Sequence, residues 1–138
     1  MANVNNDIRA ALESKLANTA GLPDIAYENV SFSPTTGTSF IQTTYLPTLR
    51  RPAVRGLNPQ QRYQGVFVIT AYAPEGNGPK VANDYLDIVE AAFEATTKIE
   101  YSGSENITVS IDYAERQVGF VDTPWYYVPL NIGWYCYK

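Results

Sequence analysis

Apolar residues recur at helical spacing at the start of the chain. Val4, Ile8, Ala11 and Leu12 fall on one side of a helix running from Asn3 to about Leu16, and Arg9 and Glu13 fall on the other. Asn3, Asn5 and Asn6 offer N-caps, Asp7 suits the first turn and Lys15 the last. Gly21-Leu22-Pro23 ends this unit. The period then changes. Ile25–Phe32 is a short strand candidate, Ser33–Thr38 a Pro/Gly loop, and Ser39–Leu46 a strand rich in β-branched and aromatic residues. Its polar Gln42, Thr43 and Thr44 suggest one solvated or interface face. Pro47 and Pro52 argue against a continuous central strand beyond it. Val66–Tyr72 is apolar on both strand faces, interrupted only by Thr70. That pattern predicts a central strand covered on both sides, by helices on one face and by a neighbouring subunit on the other.

The stretch Tyr63–Thr97 is the best-defined unit. The central strand runs into a breaker cluster, Pro74–Pro79, and then into an amphipathic helix from Val81 to about Thr96. Ala82, Tyr85, Leu86, Ile88, Val89, Ala92 and Phe93 form its apolar arc. Asn83, Asp84, Asp87, Glu90 and Glu94 form the opposite one. After a turn at Gly103, Asn106–Tyr113 alternates, with Ile107, Val109, Ile111 and Tyr113 on one face. Val118–Val121 is a short strand or an irregular segment. From Trp125 to Tyr137, Tyr126, Val128, Leu130, Ile132, Trp134 and Cys136 share a face, with Pro129 opposite. A proline without a ladder donor predicts an edge strand or a bulge there. The expectation is one α+β domain over residues 1–138 in the order α-β-β-β-α-β-β. It has a mixed or antiparallel sheet of about four to six strands, with two main helices packed on one face.

Composition narrows the chemistry. The 45% apolar and 17% charged fractions are those of a folded chain. One cysteine, Cys136, rules out an intrachain disulfide and a Cys-rich metal site. The absence of histidine removes imidazole ligands, a histidine base and a Ser-His-Asp triad. No apolar run is long enough to span a membrane, and the start of the chain lacks the order of a signal peptide. A cytosolic origin follows, and the sequons at Asn29 and Asn106 read as chance. The loop Glu75–Lys80 lacks the spacing of a phosphate-binding motif. No catalytic, cofactor-binding or metal-ligating constellation is expected, and the acids of the second helix read as its solvated face. Eleven tyrosines suit either strands or surfaces buried in assembly.

Charge is unevenly placed along a chain of net charge −4. Thr48–Arg62 reads as a Pro/Gly-containing loop or hairpin tip and carries Arg50, Arg51, Arg55 and Arg62. From Asn29 through Pro74 there is no acidic residue, whereas Val81–Asp122 has nine acids against Lys98 and Arg116. The arginines suit a solvated loop or a contact surface for an acidic protein or for phosphates. The loop lacks stacking aromatics and the net charge is negative, so a dedicated nucleic-acid reader is disfavoured. A head-to-tail ring in which the basic loop meets the next copy's acidic helix makes use of the polarity. The candidate contacts are therefore Arg50, Arg51, Arg55 and Arg62, with Asp84, Asp87, Glu90 and Glu94.

Three stretches resemble a phage family grouped with tail terminators, also called tail completion proteins. They are Tyr63-Gln64-Gly65-Val66-Phe67, Tyr72-Ala73-Pro74-Glu75-Gly76 and Trp125-Tyr126-Tyr127-Val128-Pro129-Leu130-Asn131-Ile132. The last motif in that family commonly continues with a proline where this chain has Gly133. These motifs are structural and cover roughly the second half; the first half matches in layout. The resemblance implies a non-enzymatic virion protein at the head-proximal end of the tail, made in the host cytoplasm. Copies would form a hexameric ring that caps the tail tube protein, stops its polymerisation and offers a docking face to the head–tail connector protein. Genomic DNA would pass the lumen without specific binding, and no cofactor or membrane is implied. The competing readings are a head–tail connector or neck protein, a small-molecule binding module with an aromatic pocket, and an enzyme using the acidic helix.

Overall fold

The computed structural model describes residues 4–28, 30–52, 56, 60–76, 78–104 and 106–138. Helix α1 spans Val4–Ala17 and α2 spans Lys80–Ala92. The strands are β1 (Asp24–Ala26), β2 (Phe40–Pro52), β3 (Gln61–Pro74), β4 (Lys98–Ser102), β5 (Asn106–Arg116), β6 (Phe120–Asp122) and β7 (Trp125–Tyr137). They form one seven-stranded mixed sheet in the order β1-β2-β3-β7-β5-β4, with β6 also paired to β7. Only β1 and β2 run parallel. The fold is α+β, as expected, with seven strands in place of about four to six; β4 has no counterpart in the expected order, and β6 is the short strand within the Val118–Val121 region.

Both helices contribute to a single core on one face of the sheet. Ile8, Leu12 and Leu16 of α1 and Leu86 and Val89 of α2 meet Phe67, Ile69, Leu130, Ile132 and Trp134. The α1 stripe is the one that its spacing predicts. Asp7 does more than suit the first helical turn: it is buried, and its carboxylate accepts bonds from the Ser104 N–H (3.1 Å) and hydroxyl (2.6 Å). That ties α1 to the turn between β4 and β5. Helix α2 stops earlier than its apolar arc suggests. Phe93 closes it with a bond to Val89 O. Thr96 then takes a positive φ of 73°, and Thr96 and Thr97 exchange backbone bonds with Ile111. Pairing with β5 thus takes over where the helix ends.

Several strand expectations are corrected. The first candidate, Ile25–Phe32, is a strand only over Asp24–Ala26. The chain then turns, and the Glu28 carboxylate accepts the Tyr45 N–H at 2.8 Å, standing in for a strand partner. Strand β2 runs on through Pro47 to Pro52, with its register shifted between Pro47 and Leu49. It can do so because β1 covers only Phe40–Gln42, so later prolines need no ladder donor on that side. Within the basic Thr48–Arg62 segment, residues 48–52 and 61–62 are paired strand, so Arg50, Arg51 and Arg62 lie on the arms of a hairpin.

Strand β3 is buried on alternate residues only; the opposite face, with Val66, Val68 and Thr70, is half-buried rather than covered. Tyr113 is not on the face of Ile107, Val109 and Ile111. A register shift between Ile111 and Tyr113 inserts one residue and moves Tyr113 to the open face, where its ring covers Gly133. Strand β7 is central, between β3 and β5/β6, not an edge. Pro129 is tolerated because β5 has ended and β6 has not begun beside it. Its carbonyl accepts the Gln117 N–H there, and its nitrogen faces the same break.

Candidate functional site

The arginines of the central basic segment lie on two paired strands. Arg51 of β2 is directly opposite Arg62 of β3, and Arg50 is opposite Tyr63. Arg50 stacks its guanidinium over the Tyr63 ring, 5.3 Å from the centroid. Arg62 lies over Tyr135 at 4.7 Å, bonds the Tyr137 hydroxyl at 3.0 Å and Gln64 Oε1 at 3.1 Å. These planar contacts hold the guanidinium groups in place while leaving them charged. Arg51 is exposed and has no ion pair among the described residues. Two like charges facing each other across a ladder are mutually destabilising. Arg55 lies outside the described residues.

The acidic arc of α2 is partly neutralised within the chain. Asp84 bonds Lys80 at 2.6 Å, one turn away on the exposed surface. Asp87 and Glu90 share Arg116, at 2.8 and 3.0 Å, and the same guanidinium donates to Asn83 Oδ1 at 3.3 Å. Burial works against the charge on Arg116, but its bonds to Asp87 and Glu90 outweigh it and raise the pKa further. Glu94 is exposed and makes no ion pair among the described residues. It borders an open groove of about 410 Å³ with Asp87, Glu90, Ala91, Ala95 and Ala114. Among the described residues no ion pair joins the arginine arm to the α2 acids. The structure thus gathers the two predicted groups separately and leaves them unconnected within one copy.

Arg116 was missed as the partner of this helix. Its reach follows from the β5 register, which sets it opposite Leu130 on the helix-bearing side, and linear spacing carries no such signal. An aromatic row was missed for the same reason. Phe32, Phe40, Tyr72, Tyr127 and Phe120 touch in sequence, with centroids 5.2, 4.5, 5.2 and 5.6 Å apart. The row crosses the open face at the end of the sheet remote from the arginines. Burial, with Tyr127 and Asp122 nearby, pushes the Tyr72 phenol up from its ordinary pKa. Beside it an open groove of about 390 Å³ runs between residues 26–34 and β2.

Among the described residues no group of three or more His, Cys, Asp or Glu side chains could hold a metal ion. Cys136 is buried, and burial raises its pKa, so its position does not activate the thiol. Among the described residues no helix is long and apolar enough to cross a membrane. What these surfaces offer is contact: a basic arm, a partly neutralised acidic helix and an aromatic open face.

No curated protein sequence matches the chain. Eleven chains of solved structures do. One of them, whose title is a bare sequence identifier, has a TM-score of 0.73 at 22% identity, covering 96% of this chain and 94% of its own. That likeness speaks for the fold. A family model described as "Phage tail terminator protein" matches residues 7–134. The match takes in most of α1, all of α2, strands β1 to β6, β7 as far as Trp134 and the three motif stretches quoted above, so the chain belongs to the phage tail terminator family, a structural family of the virion tail.

Proposed function

We propose that copies of this protein form a ring, a hexamer by the family resemblance, on the head-proximal end of the tail tube. There the ring stops addition of tube protein and presents the docking face for the head–tail connector. The observation that carries this reading is the match to the tail terminator family over residues 7–134. The surfaces agree with it. Charged groups sit on rigid strands and on a helix, and the sheet face opposite the helices is half-buried and rich in tyrosine.

In this reading Arg50, Arg51 and Arg62, with Arg55, contact a neighbouring copy or the tube. Asp84, Asp87, Glu90 and Glu94 form a second contact surface, with Glu94 the acid left unneutralised. The DNA passes the lumen without specific binding, a reading supported by the tyrosine contacts of Arg50 and Arg62 and by the chain's net charge of −4.

The test is a phage that lacks the protein. Tails of uncontrolled, excessive length support capping, and restoration of normal length by the protein supplied in trans completes the case. Tails of normal length that fail to join heads would replace capping with the neck role. Normal, infectious particles would refute both.

A further inference from the structure

Exposed large apolar side chains stand at both ends of the sheet as well as in its middle row, where Leu46 and Tyr113 lie. Leu49 and Tyr137 lie towards the end where β2 and β3 meet in their hairpin, with Leu46 beyond them. Val118, Phe120 and Val121 lie at the opposite end, around β6; Val118 is 76% exposed and Val121 62%. Phe120 and Val121 point to opposite faces of a three-residue strand, so this tip is apolar on both sides. A tip that is apolar on both faces gains nothing in a monomer, since one face at least would ordinarily be polar.

The charges of the β2–β3 arm and of the far end of the sheet are opposite. The hairpin end carries Arg50, Arg51 and Arg62, with the like-charged pair Arg51 and Arg62 in register. At the far end stand Asp24, opposite Phe40, Asp122, opposite Trp125, and Glu75, whose N–H bonds Pro124 O. All three acids are exposed and have no ion pair among the described residues. Lys80, the nearby cation, is taken by Asp84. The ends are separated by the length of β3, fourteen residues, or roughly 45 Å at about 3.4 Å per residue. One copy therefore cannot satisfy its own ends.

We infer that the partner of each end is the opposite end of a second copy. The arginine arm, flanked by Leu46, Leu49 and Tyr137, meets Asp24, Glu75 and Asp122 around the Val118–Phe120–Val121 tip of its neighbour. The contact is heterologous, the kind that closes into a ring when its rotation allows. It assigns the arm to the sheet end in preference to α2, whose Asp87 and Glu90 already hold Arg116. The inference rests on the ring reading and specifies which surfaces make it.

Charge exchange tests it. The protein and three variants are compared by multi-angle light scattering over a range of concentration and salt: Arg50→Glu/Arg51→Glu, Glu75→Arg/Asp122→Arg, and the four changes together. All four positions are exposed, and thermal melts within a few degrees of the parent verify folding. Each double variant should weaken self-association by at least about tenfold, and the fourfold variant should recover most of it. Val121→Ser should weaken it independently of salt. Assembly that is indifferent to both double variants, or no recovery in the fourfold variant, overturns the pairing while leaving the ring intact. A parent that stays monomeric at every concentration and on isolated tube ends overturns the ring reading along with it. Double variants that assemble normally but no longer bind tube ends would move these surfaces to the tube contact and also overturn the pairing.

Discussion

Gly65 and Gly133 lie on the adjacent, paired strands β3 and β7, and replacing each with alanine should have very different effects. Neither has a left-handed φ, so the question is one of space alone. A Cβ on Gly65 would stand 2.3 Å from Leu46 O, 2.9 Å from Pro47 Cα and 2.7 Å from the Trp134 ring. Two of those atoms are backbone, at the place where β2 shifts register, and the third belongs to a buried indole stacked on Tyr45. None can retreat without moving a strand. Overpacking of this kind costs about 3 kcal/mol, or a fall in Tm of roughly 10 °C for a domain of this size. A Cβ on Gly133 would come closer still, 2.1 Å, but all three near atoms belong to the Tyr113 ring. That ring is 41% exposed and can swing into solvent. The cost should be about 1 kcal/mol, and Gly133→Ala should be nearly neutral in a Tyr113→Ala background. Thermal and urea unfolding of the four variants decide the matter. If Gly133→Ala destabilises as much as Gly65→Ala, or if Tyr113→Ala fails to relieve it, the distinction between backbone and side-chain obstruction is wrong.

Arg116→Ala should destabilise by about 1 kcal/mol, because the pairs with Asp87 and Glu90 are only partly shielded from water, and urea midpoints should show a smaller loss at high salt. Burial raises the pKa of Tyr45, and likewise those of Tyr27 and Tyr72. The folded state thus favours the neutral phenol. This stability is complete below the ordinary tyrosine pKa of about 10 and falls as pH rises above it, so melts from pH ~8 to ~11 should decline, less steeply in Tyr45→Phe. The Cys136 thiol is 1% exposed, and burial raises its pKa; it should react with a disulfide reagent slowly in the native protein and rapidly in denaturant, and rapid native reaction would contradict its burial.

What could be read along the chain was what depends on near neighbours. The α1 and α2 stripes are set by helical period, and Ile8, Leu12, Leu86 and Val89 are buried where that period puts them. The alternation of Val128, Leu130, Ile132, Trp134 and Cys136 is likewise local, and all five are buried. What failed depended on which strand lies alongside. Pro129 argues for an edge only if a neighbour is continuous beside it; the break between β5 and β6 removes that condition. Tyr113 continues an alternating run, and one inserted residue reverses it. The apolar Val66–Tyr72 run implies cover on both faces, yet Val66, Val68 and Thr70 are only half-buried within one copy. Among the candidate contacts, the arginine cluster was legible as composition, while the opposition of Arg51 and Arg62 and the neutralisation of Asp87 and Glu90 required the register.

The distribution of paired and unpaired charge separates what holds this chain together from what it presents to others. Arg9 with Glu13, Lys80 with Asp84, and Arg116 with Asp87 and Glu90 join neighbours on helices or pin β5 to α2. Arg51, Glu94, Glu75 and Asp122 make no ion pair among the described residues. A chain selected only for stability would not set Arg51 against Arg62, since a single acid in place of either would convert a repulsion into an attraction. It would also not leave Phe120 and Val121 bare on a narrow tip. These features cost a little stability in the isolated copy, and in the proposed ring the neighbouring copy would offset that cost. Arg50 and Arg62 sit on strands and are braced by tyrosine rings, so their positions are fixed before that encounter and little of their conformational entropy is lost in it. In the proposed ring, such a surface would make association depend on geometry supplied by the assembly. The same logic places the informative mutations at the ends of the sheet, where they should alter assembly while leaving the melt of the single copy almost unchanged.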